Sequence, residues 1–132
     1  MKLLADTSAL LALTMKHDQN HTAAASFVRT NPRVRFVLTD LILVELVTLV
    51  RSRAGMPIAV GTADSLLRSQ RYELIFSDAD LLSGALKQMT RFSDKPLSLT
   101  DCASFETMVR LGLDSAFSFD RDFRDCGFQM LP

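Results

Sequence analysis

The sequence predicts an α/β fold in three layers: a short, mainly parallel central sheet with helices on both faces, and one domain spanning residues 1–132. Three observations carry this. Short apolar runs alternate with longer helical stretches along the whole chain, the pattern of successive strand–helix–strand units and a parallel sheet. Apolar residues make up 48% of the chain, enough for a substantial core at this length without disulfides or structural metal. No repeat, low-complexity tract or linker divides the sequence.

Lys2 to Ala5 is a short apolar run closed by Asp6-Thr7-Ser8, which reads as a buried strand followed by a helix from near Ser8 to about Met15. Ala23, Ala24, Ala25, Phe27 and Val28 give a second helix, broken at Asn31-Pro32. Arg35 to Leu38 is a second strand, after which Thr39-Asp40 caps a helix that carries Glu45 and ends between Arg51 and Gly55. Pro57 suits the first turn of the next helix, which reaches about Gln70. Glu73 to Phe76 is a third strand. Ser77 or Asp78 then caps a helix to about Met89, and the polar Ser93-Asp94-Lys95-Pro96 forms a loop. A helix from Ser98 to about Leu111 precedes a fourth strand, Ala116 to Phe119, and Phe128 to Leu131 is a shorter last one. In such a sheet the site belongs at the carboxyl ends of the strands.

With 15 basic and 15 acidic residues the formal net charge is zero, so a polyanion must be held by a local cluster of cations and not by the overall field. Arg51, Arg53, Arg68, Arg71, Lys87 and Arg91 are available for that, although each alone reads as a solvated surface charge. No charged-then-apolar leader and no apolar run long enough to span a bilayer is present, so a cytoplasmic protein without membrane contact is expected. Cys102 and Cys126 lack metal-site spacing and are expected to be reduced, mostly buried thiols. His17 and His21 have no acid or cysteine to complete a ligand set, which leaves them a surface role. The phenylalanines fall in apolar strands and helix faces and read as core, not as base-stacking platforms.

Four acids stand beside apolar stretches: Asp6, Glu45, Asp101 and Asp120. Asp6 and Asp120 could each cap the turn that follows, and Asp101 sits three residues after Ser98 in the spacing of a capping box. Glu45 has no capping role. It lies mid-helix between Leu41 and Val50, where an unpaired buried carboxylate costs several kcal/mol, and an arginine salt bridge is its structural alternative. Three of the four fall at the carboxyl edge of the sheet, and the fourth can reach it from a neighbouring helix. Carboxylates gathered this way suit a hard divalent cation such as magnesium or manganese acting on phosphate oxygens.

Taken in order, Leu4-Ala5-Asp6-Thr7-Ser8-Ala9-Leu10-Leu11, Val44-Glu45-Leu46, Leu97-Ser98-Leu99-Thr100-Asp101-Cys102-Ala103-Ser104-Phe105 and Ala116-Phe117-Ser118-Phe119-Asp120-Arg121-Asp122-Phe123 resemble the motifs of PIN-domain ribonucleases. The similarity is greatest to VapC-type toxins of bacterial toxin–antitoxin pairs, and it extends to Cys126-Gly127-Phe128 and Leu131-Pro132. It implies an endoribonuclease dependent on magnesium or manganese that leaves 5′-phosphate and 3′-hydroxyl ends. Asp6, Glu45, Asp101 and Asp120 would be its acidic quartet, supported by Thr7, Ser8 and Thr100. Asp6, Asp101 and Asp120 are the metal ligands so implied, with Glu45 and Asp122 as further candidates. Similar proteins often carry histidine where this chain has Asp122. Asp120 directly follows the fourth strand and Asp122 lies two residues on, inside a short turn or helix; on a helix the two positions do not share a face, so the two are not expected to contact one ion together. The resemblance also implies a homodimer and an antitoxin protein bound over the site. The apolar stretch from Leu41 to Val50 fits a subunit contact.

Other phosphate chemistries fail on spacing. A haloacid-dehalogenase-like phosphatase needs an aspartate where Ser8 stands, a metal-dependent adhesion site needs a serine where Leu10 stands, and no Gly-rich lysine loop is present. Two alternatives stay open at this level: a catalytically silent PIN-like interaction module, and a structure-specific DNA nuclease of the same superfamily.

Overall fold

The computed structural model describes residues 1–132. Strands β1 (Lys2–Ala5), β2 (Arg35–Thr39), β3 (Tyr72–Ile75), β4 (Ser115–Phe117) and β5 (Gln129–Leu131) form one sheet in the order β3-β2-β1-β4-β5, every neighbouring pair parallel. Seven helices connect them: α1 (Thr7–Thr14), α2 (His21–Thr30), α3 (Asp40–Ala54), α4 (Met56–Arg68), α5 (Ala79–Arg91), α6 (Leu99–Leu111) and α7 (Asp122–Asp125). The chain steps from β1 through β2 to β3 in one direction, then returns past β1 to β4 and β5. With right-handed crossovers, that reversal puts α1 to α4 on one face and α5 to α7 on the other, giving the three layers. No helix is long and apolar enough to cross a membrane.

An aromatic cluster fills each side of the sheet. Phe117 packs against Phe27 and Phe36, both with ring centroids 5.3 Å away, while Phe105 gathers Phe92, Phe123 and Phe128. Phe36, Phe105, Phe117 and Phe123 are fully buried. Phe76, expected at the end of the third strand, departs from the reading of the phenylalanines as largely core: it is 73% exposed. The cause is that β3 ends one residue earlier than the sequence suggests. Asp40 Oδ1 accepts from both the Ser77 N–H (3.1 Å) and the Ser77 hydroxyl (2.6 Å), which turns the chain out of the sheet.

Two further boundaries shift for local reasons. Helix α1 starts at Thr7 because Asp6, not a later residue, supplies the cap. Strand β4 stops at Phe117, two residues short of the expected end, because serine hydroxyls take the backbone N–H groups of Phe119 and Asp120. His21 is not a simple surface residue either; its Nδ1 lies 2.8 Å from the Ala12 carbonyl and joins α2 to α1.

Removing the Phe117 ring should cost about 3–5 kcal/mol, the usual range for a buried aromatic. Phe76→Ala should change stability by less than about 0.5 kcal/mol. Urea unfolding midpoints of the two variants check the contrast.

Candidate active site

The strand order reverses at the β1–β4 pair, so the carboxyl ends of these two strands border the crevice of the sheet. Asp6 leaves β1 there and is buried, at 4% exposure. All the hydrogen bonds of its carboxylate fall on one oxygen: Oδ2 accepts from the Ser8 N–H (3.3 Å), the Ser8 hydroxyl (2.7 Å) and the Ser118 hydroxyl (3.1 Å). The two serines in turn accept backbone N–H groups, Ser8 from Phe119 and Ser118 from Asp120, each at 3.0 Å. The end of β4 is thereby tied to the end of β1 through side chains.

Asp101 and Asp120 show the same division of labour. Asp101 completes the capping box of α6, with its Oδ2 accepting the Ser98 N–H (3.2 Å) and its own N–H donating to the Ser98 hydroxyl (3.0 Å). Asp120 Oδ1 accepts the Asp122 N–H at 2.9 Å. Each of the three aspartates thus spends one oxygen on local structure and keeps the other free, so capping and site roles are compatible. Oxygens of Asp101, Asp120 and Asp122 lie within 4.8 Å of one another. The expectation that Asp120 and Asp122 point apart is corrected here. Asp120 precedes α7, and the bond from the Asp122 N–H folds its carboxylate back onto the helix start, so helical spacing does not apply to the pair. Asp6 and Glu45 stand outside this tight trio.

Electrostatics nevertheless links all five acids. Burial pushes the Asp6 carboxyl up to about 6 against the pull of the Ser8 hydrogen bond, and the charges of Asp101 and Asp120 add to the rise. Asp101 is raised by burial and then by Asp120 and Glu45; Asp122 is raised by burial and by Asp120 and Asp125, with Lys95 opposing. Glu45 therefore faces Asp101 from α3. It is half-buried and makes neither a hydrogen bond nor an arginine salt bridge, so the structural alternative for it is absent and its burial is milder than the apolar run suggests.

The supporting residues divide. Ser8 is a bridge, as described. Thr7 is 4% exposed, and its buried Oγ1 has no partner. Thr100, half-buried in the first turn of α6, makes no side-chain hydrogen bond. Ser118 and Lys95 were not singled out from sequence. A small polar residue among Phe117, Phe119 and Ala116 at a strand end was the signal for Ser118; nothing in the sequence marked Lys95. Among the cations, Arg71 is structural: it donates to the carbonyls of Val34 and Asn31 and lies over the Phe36 ring. Arg68 pairs with Asp64 and Arg91 lies over Phe92, whereas Arg51, Arg53 and Lys87 are exposed.

Free carboxylate oxygens with no cationic side chain bonded to them, those of Asp6, Asp101 and Asp122 with raised proton affinity, form an all-oxygen donor set. That set fits a hard divalent cation, which would relieve the mutual repulsion.

A family model described as PIN domain matches residues 3–129. The 23S rRNA-specific endonuclease VapC20 of Mycobacterium tuberculosis is 30% identical over 126 residues, which is 96% of this chain and 95% of the relative. A crystal structure of Mycobacterium tuberculosis VapC20, described as a sarcin-ricin loop cleaving toxin, superposes with a TM-score of 0.88 at 28% identity, covering 96% of this chain and 95% of that one. VapBC2 from Rickettsia felis, bound to a promoter DNA fragment, shares the fold at TM-score 0.74 and 13% identity over 98% of this chain and 97% of that one.

Without divalent cation, the parent should lose on the order of 3 kcal/mol of stability relative to Asp6→Asn between about pH 4 and pH 7. The folded state holds the Asp6 proton up to about 6, while the unfolded chain releases it near 3.8, so this stabilisation is complete at low pH and is lost as pH rises. Urea titrations in chelator across that range measure it, and an unchanged difference between the two proteins would contradict it. Ser118→Ala should weaken manganese binding about 10- to 100-fold by calorimetry, because Asp6 loses a donor and the Asp120 N–H loses its acceptor.

Proposed function

The chain belongs to the PIN-domain family, and from that membership we propose that it is a magnesium- or manganese-dependent endoribonuclease, the toxin of a toxin–antitoxin pair. The observation that carries this is the trio Asp101, Asp120 and Asp122 within 4.8 Å, beside a buried Asp6 whose proton affinity is raised by burial and further by its acidic neighbours. The free oxygens of Asp6, Asp101, Asp120 and Asp122 hold the cation. When bound, the cation withdraws electron density from the scissile phosphate and makes water a stronger acid.

The residues of this chain supply the rest. Ser8 and Ser118 fix the rotamer of Asp6 and the backbone of Phe119 and Asp120, so the donor set is shaped before any ligand arrives. The carboxylates of Glu45 and Asp122 are both committed to no partner, but Asp122 lies in the tight trio and Glu45 stands outside it, so Glu45 is the one left to orient the attacking water and take its proton. Water as nucleophile removes any chemical need for the RNA 2′-hydroxyl, so RNA preference arises in binding. VapC20 is an rRNA-specific endonuclease, and a structured RNA is the substrate class we assign here. An antitoxin protein as partner and a homodimer complete the proposal. VapBC-type assemblies with the same fold support the first of these, and exposed apolar residues such as Val44 on α3 support the second.

Purified protein incubated with a mixed RNA pool should cut it with magnesium or manganese and not with chelator, leaving 5′-phosphate ends by end sequencing. Glu45→Gln and Asp120→Asn should each lose at least about 100-fold in single-turnover rate with their unfolding midpoints retained. Asp122→Asn should raise the manganese concentration needed for half-maximal rate. Chelator-resistant cleavage, or no cleavage by folded parent protein, contradicts the proposal.

A further inference from the structure

Eight of the nine phenylalanines pack a ring against another aromatic; Phe76 does not, and it is 73% exposed. Its place on the sheet is specific. Leu4 stands level with Val37 and Thr39 with Ile75, so Asp6 leaves β1 level with Thr39 and Ile75, and Phe76 lies one residue beyond that row on the same carboxyl rim. Two strand spacings separate β3 from β1, about 10 Å across the sheet. The backbone beside the ring is also anchored, because both Ser77 bonds to Asp40 fix the residue that follows Phe76.

The ring borders a cleft of about 150 Å³ lined also by the apolar Ile75, Leu81 and Leu111 and the polar Asp78, Thr107 and Arg110. Asp78 Oδ1 caps α5 through the Leu81 N–H at 2.8 Å, which leaves its other oxygen able to accept a hydrogen bond. An apolar face with a polar edge is what a nucleobase presents. Arg110 is taken up by ion pairs with Asp80 (2.9 Å) and Glu106 (3.0 Å), and the carboxylates of Asp40 and Asp78 repel a phosphate, so this part of the rim suits base and not backbone. We propose that Phe76 is a stacking platform for an unpaired base of the RNA near the scissile bond. This rests on the ribonuclease reading given above.

The test uses RNA oligonucleotides spanning a site cut in the pool experiment, with 2-aminopurine placed at successive positions, and proteins carrying Asp120→Asn so that the RNA stays intact. At one position, fluorescence should be quenched with Phe76 and with Phe76→Trp but not with Phe76→Ala. Phe76→Ala should raise Kd on the order of 5- to 100-fold, the range for loss of one base–aromatic stack. That difference should vanish when the stacked nucleotide is abasic. Equal RNA binding by the parent and Phe76→Ala overturns the inference and leaves the ribonuclease reading intact. Absence of both cleavage and RNA binding in the parent overturns both. A sedimentation change in Phe76→Ala with aminopurine quenching retained would assign the ring to a contact between copies of the chain and overturn the stacking role.

Discussion

Three donors converge on one oxygen of Asp6, and the carboxyl rim of the sheet is assembled around it. Ser8 and Ser118 give their hydroxyl protons to that oxygen and take backbone N–H groups from the chain leaving β4. Without these bridges the segment after Phe117 would have unsatisfied N–H groups at the sheet end, and nothing would set Asp120 opposite Asp6. The arrangement is also unfavourable on its own. It brings carboxylates together in a partly dry crevice, where burial and mutual repulsion raise their proton affinity. A site strained in this way is stable enough to fold because the rest of the molecule, two aromatic clusters on either side of a parallel sheet, supplies the cohesion.

The aspartates combine two roles that are usually separate. Asp6 caps α1, Asp101 completes a capping box on α6, and Asp120 opens α7, each with one oxygen. The second oxygen is left for a ligand. Helix starts at the carboxyl end of a parallel sheet need acceptors in any case, and this fold draws those acceptors from the acids proposed to hold the cation.

Much of this was legible in the sequence, for identifiable reasons. Every strand and long helix was foreseen, because short apolar runs and capping residues such as Thr39, Asp78 and Ser98 reflect local physics. Errors came where a distant partner decides the outcome. The end of β4 depends on hydroxyls of Ser8 and Ser118, and the end of β3 on Asp40, 37 residues away from Ser77. Asp122 is set apart from Asp120 by a helical rule that does not hold for Asp120, two residues before the helix. Arg71 looked like a surface cation because its carbonyl partners lie 37 and 40 residues earlier.

The central claim is that these acids hold a divalent cation that RNA hydrolysis requires. Anomalous diffraction from crystals soaked in manganese, at a concentration that supports cleavage in solution, tests it most directly. The account predicts a manganese peak among the free oxygens of Asp6, Asp101, Asp120 and Asp122. Full cleavage activity at that manganese concentration with no peak among these residues would contradict it.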